Sequence, residues 1–531
     1  TNFTANALSL VRFAGTLGGG GTARSVTVTT ANARFDGAVG GVGNLVSTLS
    51  VAGTTLIAAP TITTTGWQLY AGLMTLNTNA VLTTTDANIQ FMNAITADVA
   101  DTRDLTFDVG SGNVAVFNAL GVTRLRAITV TSANNVTFGA GVTAVSYTQS
   151  AGTGTTTFNG AQDYTGAFSF TGNGLTVNEG MTVGGTTTIT NAGLFTKNAT
   201  GAISSAGGLT QNGAGTNSIG ANVTTTNTSL SFLRAVTLTQ NVQLSTGAGA
   251  GDITLSAAVN PTGAGTQGLT LLAGGGSISA ADIGNSLRLS ALTVTSANNA
   301  VFGVGVTAVS YTQSAGTGTT TFNGAQDYTG AFAFTGNNLT VNEGMIVGGT
   351  ATITNAGLFT KNAVGTITAT GGFAQNGVGA NSIGSNVTTT NTALSFLRAV
   401  TLTQNVQLAA GAGNIILGST VNADAAASNR TLALNSGGST SVTGPVGGGQ
   451  ALLSLTTDAG GTTSVGNVTT RGPQSYGDDV TLNGTSYSTD DNVAGGAFTI
   501  GGTTTLGANA VVASGTGAVT FTGAVNALAA G

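Results

Sequence analysis

Residues 127–176, AITVTSANNVTFGAGVTAVSYTQSAGTGTTTFNGAQDYTGAFSFTGNGLT, return at 291–340 as ALTVTSANNAVFGVGVTAVSYTQSAGTGTTTFNGAQDYTGAFAFTGNNLT. The offset from Tyr147 to Tyr311 is 164 residues, and it still holds between Phe232 in SLSFLRAVTLTQNVQL and Phe396 in ALSFLRAVTLTQNVQL. Self-similarity on this scale means stacked repeating units and excludes an ordinary single core. Weaker copies extend it. TITTTGWQLYAGLMTLNTNAVL places Tyr70 and Leu76 where a later copy places Phe232 and Leu238, an offset of 162, and NVTTRGPQSYGDDVTL does the same with Tyr476 and Leu482. Tyr476 follows Phe396 by 80 residues, about half of 164, so a shorter unit lies inside the long one.

Cutting 126–290 at its recurring strand-like pieces gives eight segments of roughly 20 residues, the size of a solenoid repeat. Period-2 alternation recurs inside them, as in Ile128-Val130, Phe168-Phe170 and Val236-Leu238, which turns one apolar face of each short strand inward. Gly, Asn and Ser clusters such as GTG, NGAG and SANN separate the strands as corners. Such a coil cannot bury a core alone. Stacked on its neighbours it can, each strand pairing in parallel with the strand one coil away. Helix is disfavoured by the missing 3.6-residue periodicity and by the density of Gly and Thr. The expected fold is an all-β parallel β-helix (β-solenoid) of roughly 20 residues per coil, about 26 coils, stacked ~4.8 Å apart into a rod on the order of 120 Å long. No linker is visible, so 1–531 is expected to be a single continuous β-solenoid. Residues 1–126 are diverged coils, 127–290 and 291–454 the two long copies, and 455–531 a partial copy.

Composition narrows the class. Gly fills 84 of 531 positions, charged residues are 6% and Pro is only 4, whereas globular domains carry about 25% charge. Low charge with positive mean hydropathy argues against disorder, and the absence of a three-residue Gly period excludes collagen. Cys and His are both absent, so there is no disulfide, no thiolate metal site and no nucleophile–His–acid catalysis. A net charge of −5 disfavours nucleic acid and anionic membranes as partners. No apolar run is long enough to span a bilayer. The chain opens on Thr1 and not Met, which reads as a processed or excised segment.

No catalytic, cofactor-binding or metal residue is assigned, and no cofactor is expected. The densest acidic group, Asp98, Asp101, Asp104 and Asp108 around Arg103, reads as a charged, solvated coil edge. Asp478-Asp479 and Asp490-Asp491 offer carboxylate oxygens of the kind Ca²⁺ takes, but without the Gly/Asp calcium nonapeptide. Asp163, Glu179, Lys197 and Arg234 recur as Asp327, Glu343, Lys361 and Arg398. Recurrence favours a structural use, as surface ion pairs or contacts between neighbouring rods, with Arg234 and Arg398 snorkelling outward. GAGAGDITL and GSGNVAV are corners and not phosphate loops, because a strand follows each. Asn pairs, as in SANN and TQN, read as stacked ladders at turns. The Thr arrays TVTT, TITTT, TTTIT and VTTT fall at irregular intervals, which argues against the regular Thr-x-Thr ladder of an ice-binding face.

The run TTxxxxxYxxxVTL, followed by GSGNVAVFNALG or GAGDITLSAAV and then LxxLTVTSANN, resembles the coils of filamentous-haemagglutinin-like bacterial adhesins and the passenger regions of large autotransporters. The resemblance implies a right-handed helix, export to the extracellular space or outer surface of a bacterium, and a role in adhesion, biofilm matrix or surface layer. The expected function is a structural or adhesive rod and not an enzyme. Its expected partners are copies of itself and surface or matrix glycans, with no nucleic acid and no membrane insertion. The alternatives are a polysaccharide-binding or polysaccharide-cleaving β-helix and an ice- or glycan-binding module. Both ends lack a capping element; the expectation is either a segment of a longer rod or head-to-tail stacking into a filament.

Overall fold

The computed structural model describes residues 2–489 and 495–527. Every assigned element among them is a β-strand, and the register between paired strands is parallel throughout, as in Phe168↔Thr187, Thr187↔Leu209 and Leu209↔Leu230. Those partners are 19, 22 and 21 residues apart. The chain forms two compact units, Thr1–Thr262 and Gly263–Gly531, each a β-solenoid, with about 25 turns between them.

Each turn carries three strands. One turn in the first unit runs Thr187–Asn191, Phe195–Lys197 and Ile203–Ser205; the next runs Leu209–Gln211, Asn217–Ile219 and Val223–Thr225. Most strands are three residues long, buried at both ends and half-exposed in the middle. The expected alternation is thus used to point two side chains inward per strand. Inward positions repeat from coil to coil, so inward side chains stack in columns, with aromatic rings stacked on aromatic rings in several of them. Phe138 stacks on Phe158 at 5.0 Å and Tyr147 on Phe168 at 5.1 Å; in the second unit Phe302 stacks on Phe322 and Tyr311 on Phe332, both at 5.0 Å. Each such ring, fully buried, stabilises by about 1.5–3 kcal/mol. The Tyr hydroxyls find an inward Gln two residues away: Tyr147 donates to Gln149 at 2.7 Å, Tyr164 to Gln162 at 2.9 Å and Tyr70 to Gln68 at 2.9 Å. Period 2 puts both partners on the same inner face, so the polar end of each ring is satisfied without water.

The sequence repeat does not close on a whole number of turns. Tyr70 stacks through Phe91, Val116, Phe138, Phe158, Val177, Lys197 and Ile219 to Leu238. Its sequence counterpart Phe232 lies on the neighbouring strand, in the column of Gln211, Ile189 and Phe170. The 162-residue offset therefore spans seven turns plus two strands, not eight coils. In the second unit Phe396 stacks through Leu417, Val442 and Val465 to Leu482, whereas Tyr476 sits on the strand that covers Leu455. The 80-residue offset is three turns plus two strands. Within each unit the two copies thus present their sequence on different sides of the solenoid.

Corners approach as closely as the strands. A Cβ on Gly215 would lie 1.5 Å from the carbonyl oxygen of Gly193 one coil below, so only Gly fits there. Gly215→Ala is expected to lower stability by about 1–3 kcal/mol, the scale of an overpacked site. Gly21→Ala, at a position where nothing lies within 4 Å, is expected to be neutral. Thermal melts followed by circular dichroism compare the two.

Candidate functional site

Charged groups are spent on fastening the chain to itself. Arg103 bonds Asp98 at 2.6 Å, Arg126 pairs with Asp104 one coil away, and Ser132 donates to Asp108 at 2.5 Å. Asp101 approaches only Arg124, at 4.0 Å. The acidic run is thus an edge of separate ties, one within its own coil and three to the next, and not a converged site. Arg124 also reaches Asp163 at 3.3 Å, and Arg288 pairs with Asp327 in the second unit. Asp36 is shared by Arg12 and Arg34, whose hydrogen bonds hold its carboxyl below the usual range. Arg234 and Arg398 are exposed.

Asp478 and Asp479 diverge. Asp478 turns inward, where Thr457 and Thr463 donate to it at 2.9 and 2.6 Å and burial raises its pKa. Asp479 points out and accepts the Thr503 backbone N–H at 2.6 Å. They do not form a shared oxygen cage, and among the described residues no group of three His, Cys, Asp or Glu side chains converges. Asp490 and Asp491 lie outside the described residues.

Lys197 and Lys361, the chain's two lysines, are not surface ion-pair partners. Both side chains are buried. The Lys197 Nζ donates to the carbonyls of Asn198 and Thr200 at 2.7 and 2.8 Å, and Lys361 Nζ to those of Asn362 and Val364 at 2.6 and 2.8 Å. Each ammonium plugs a corner from inside, satisfying carbonyls that turn away from the ladder. Nothing in a Phe-Thr-Lys strand distinguishes a Lys directed inward from one directed out; only the alternation set by Phe195 and Phe359 does, by placing residues 195/197 and 359/361 on the same inner face.

An Asn ladder stands at the SANN corner, as expected there. Asn113 N–H donates to Asn88 Oδ1 at 2.9 Å, Asn135 N–H to Asn113 Oδ1 at 3.0 Å and Thr155 N–H to Asn135 Oδ1 at 2.8 Å. A second ladder runs Asn198→Asn178→Asn159, each bond 2.6 Å. The segments at 110–112 and 247–251 are corners between strands.

Outward Thr and Ser residues, mostly outside the Thr arrays of the sequence, come into register in space. Thr106, Thr129, Thr148, Ser169, Thr188, Thr210, Ser231 and Thr254 are consecutive partners facing outward on one side of the first unit. Thr137, Thr157, Thr176, Thr196, Ser218 and Thr237 do the same on the next side. Corners of unequal length absorb the irregular spacing. In the second unit the matching row is broken by Ala333 and Ala374.

Several shallow depressions mark the surface of the first unit; one, of about 270 Å³, is lined by Trp67, Gln68, Leu69, Asn88 and Gln90, and another, of about 340 Å³, lies at the corners around Gly201 and Ala221. No helix among the described residues is long and apolar enough to cross a membrane. No protein-family model, curated protein or solved structure matches the chain.

Burial lowers the Lys197 and Lys361 pKa values to about 8, against an opposing pull from Glu179 and Glu343. The folded chain sheds these protons near pH 8, whereas the unfolded chain holds them to about 10.4. The unfolded state therefore binds more protons in between, and stability rises with pH through that window. Below pH 9.5, before unfolded-state tyrosines ionise, the melting temperature of the wild type is expected to climb from pH 8 relative to a Lys197→Met/Lys361→Met variant. An acylating reagent at pH 8 is expected to spare both amines until the chain is denatured. Mass spectrometry of the labelled peptides reads this directly.

Proposed function

We propose that the chain is a structural or adhesive rod of a secreted or surface-exposed bacterial protein. The observation that carries this is the direction of its polar chemistry. Most ion pairs among the described residues, and the Asn ladders, link one coil to another, 22 residues on for Arg126–Asp104 and 25 and 22 on for the Asn88–Asn113–Asn135 ladder, while Arg103–Asp98 and Arg430–Asp424 close within a coil. Carboxylates so engaged hold coils together and are poorly placed to move protons to a substrate. A chain without Cys or His suits an oxidising exterior, and an outer surface rich in hydroxyls stays soluble with little charge. Its partners on this reading are further copies of itself and surface or matrix glycans.

Negative-stain electron microscopy of the purified chain, with incubation on neutral and acidic polysaccharides, tests the reading. Stiff, narrow particles and no release of reducing ends are expected. Globular particles, or sugar release that an Asp→Asn variant abolishes, would overturn it.

The Thr/Ser columns favour a second reading, in which one face orders water as an ice-binding surface does. Thr has a stiff χ1, and coils ~4.8 Å apart repeat its hydroxyl and methyl on a fixed lattice. On this reading Thr148→Lys/Thr188→Lys, on the outward face, abolishes inhibition of ice recrystallisation; absence of inhibition by the wild type removes the reading.

A further inference from the structure

Trp67 is the chain's one tryptophan, and it stands 46% exposed in a protein that buries most of its other rings. Its backbone is held firmly. The Trp67 carbonyl accepts the Leu49 N–H at 3.1 Å, and Gly66 N–H donates to Ser47 at 2.5 Å. Behind it Gln68 is locked inside, donating to Thr83 at 2.9 Å while accepting from the Tyr70 hydroxyl at 2.9 Å. Trp67 and Leu69 therefore face outward on a rigid strand. The next coil pairs Gln90 with Leu69 and Ile89 with Gln68, which brings Asn88 beside Trp67. Asn88 Oδ1 accepts the Asn113 backbone and side-chain N–H groups at 2.9 and 3.0 Å, which orients its NH₂ group as the free donor. The Gln90 side chain is exposed and makes no hydrogen bond among the described residues.

The chain's own repeats show that this patch departs from the pattern. Where this copy has Trp67, the others have Ser229, Ala393 and Pro473; where it has Leu69, they have Ser231, Ser395 and Ser475. The inward positions stay large: Tyr70 corresponds to Phe232, Phe396 and Tyr476, and Gln68 to Leu230, Leu394 and Gln474. Packing accounts for the inner pair. It does not account for two small outward residues giving way to Trp and Leu, since an exposed ring there contributes little to the fold.

We propose that the depression around Trp67 is a subsite for a neutral, hydroxyl-rich glycan chain. The proposal rests on the adhesive reading and names its ligand class. An indole face packs against the C–H face of a pyranose ring at low entropic cost, because Trp has few rotamers to lose. The Asn88 and Gln90 amides offer donors and acceptors to its hydroxyls. No charged side chain lines the depression, which selects against uronic or sulfated sugars, whose charge would be left unpaired. At about 270 Å³ the depression falls just below the ~300–1,000 Å³ typical of small-molecule pockets. It suits one stretch of an extended polymer lying across the strands.

The single tryptophan is its own reporter. Intrinsic fluorescence of the full chain would be titrated with cellohexaose, chitohexaose, maltohexaose, xylohexaose and mannohexaose, with a polygalacturonate hexamer as the anionic control. A saturable emission change with at least one neutral hexasaccharide is expected. Gln90→Ala should weaken it by roughly tenfold or more, and Trp67→Ser, read by calorimetry, should do the same, on the scale of a lost aromatic anchor. Trp67→Tyr should retain most of the affinity, and circular dichroism should show all variants folded. No response to any neutral hexasaccharide at millimolar concentration would overturn the proposal. So would equal binding by Gln90→Ala, a stronger response to polygalacturonate, or an emission change that follows protein concentration alone, which would mean a second copy covers the patch. None of these results alters what microscopy says about the rod.

Discussion

Coil-on-coil parallel pairing is the constraint from which the rest follows. A three-residue strand such as Phe195–Lys197 has no stability alone; its N–H and C=O groups are satisfied only by Leu175–Val177 below and Asn217–Ile219 above. Pairing in register then forces each inward side chain onto its counterpart one turn away, so the core becomes a set of columns. A column tolerates any residue whose buried polar atoms find a partner in the same column or at a corner. Gln211 inside the first unit does this, donating to Asn191 at 2.7 Å, and Gln375 repeats it with Asn355 at 2.8 Å.

Corners carry the variation that columns refuse. The distances between partners in one column, 19 to 22 residues around 168–230, change without shifting the register, because added residues leave the stack at a corner. This is why Thr and Ser residues that look scattered along the chain become continuous outward rows over 106–254. It is also why Gly is so frequent: where corners stack as tightly as Gly215 on Gly193, a side chain has nowhere to go.

The same division separates scaffold from function. Inward residues answer to the column, and outward charged residues mostly answer to the neighbouring coil through ion pairs and Asn ladders. Freedom to change lies in the middle of each strand's outer face. There the first unit mostly keeps hydroxyls; it departs from them singly at positions such as Arg34, Ala115, Asp163 and Gln243 and, with an exposed ring beside Leu69, at Trp67, which is the physical basis for reading that patch as a site and the hydroxyl rows as a surface.

The sequence by itself determined the strand class, the coil length, the inward alternation and the corners, because these are local: period 2 in Phe168-Phe170 and Gly/Asn clusters need no knowledge of neighbours. The contrast of Trp67 with Ser229, Ala393 and Pro473 lies in the sequence but gains meaning only once residues 67 and 69 are known to face outward. Tertiary structure alone decided what depends on phase around the axis. The repeat advances by a whole number of strands but not of turns, so Tyr70 and Phe232 share a sequence context and occupy different columns. Burial of Lys197 and Lys361 was hidden for a related reason. A lysine reads as a surface residue until the column it belongs to is closed by its neighbours above and below.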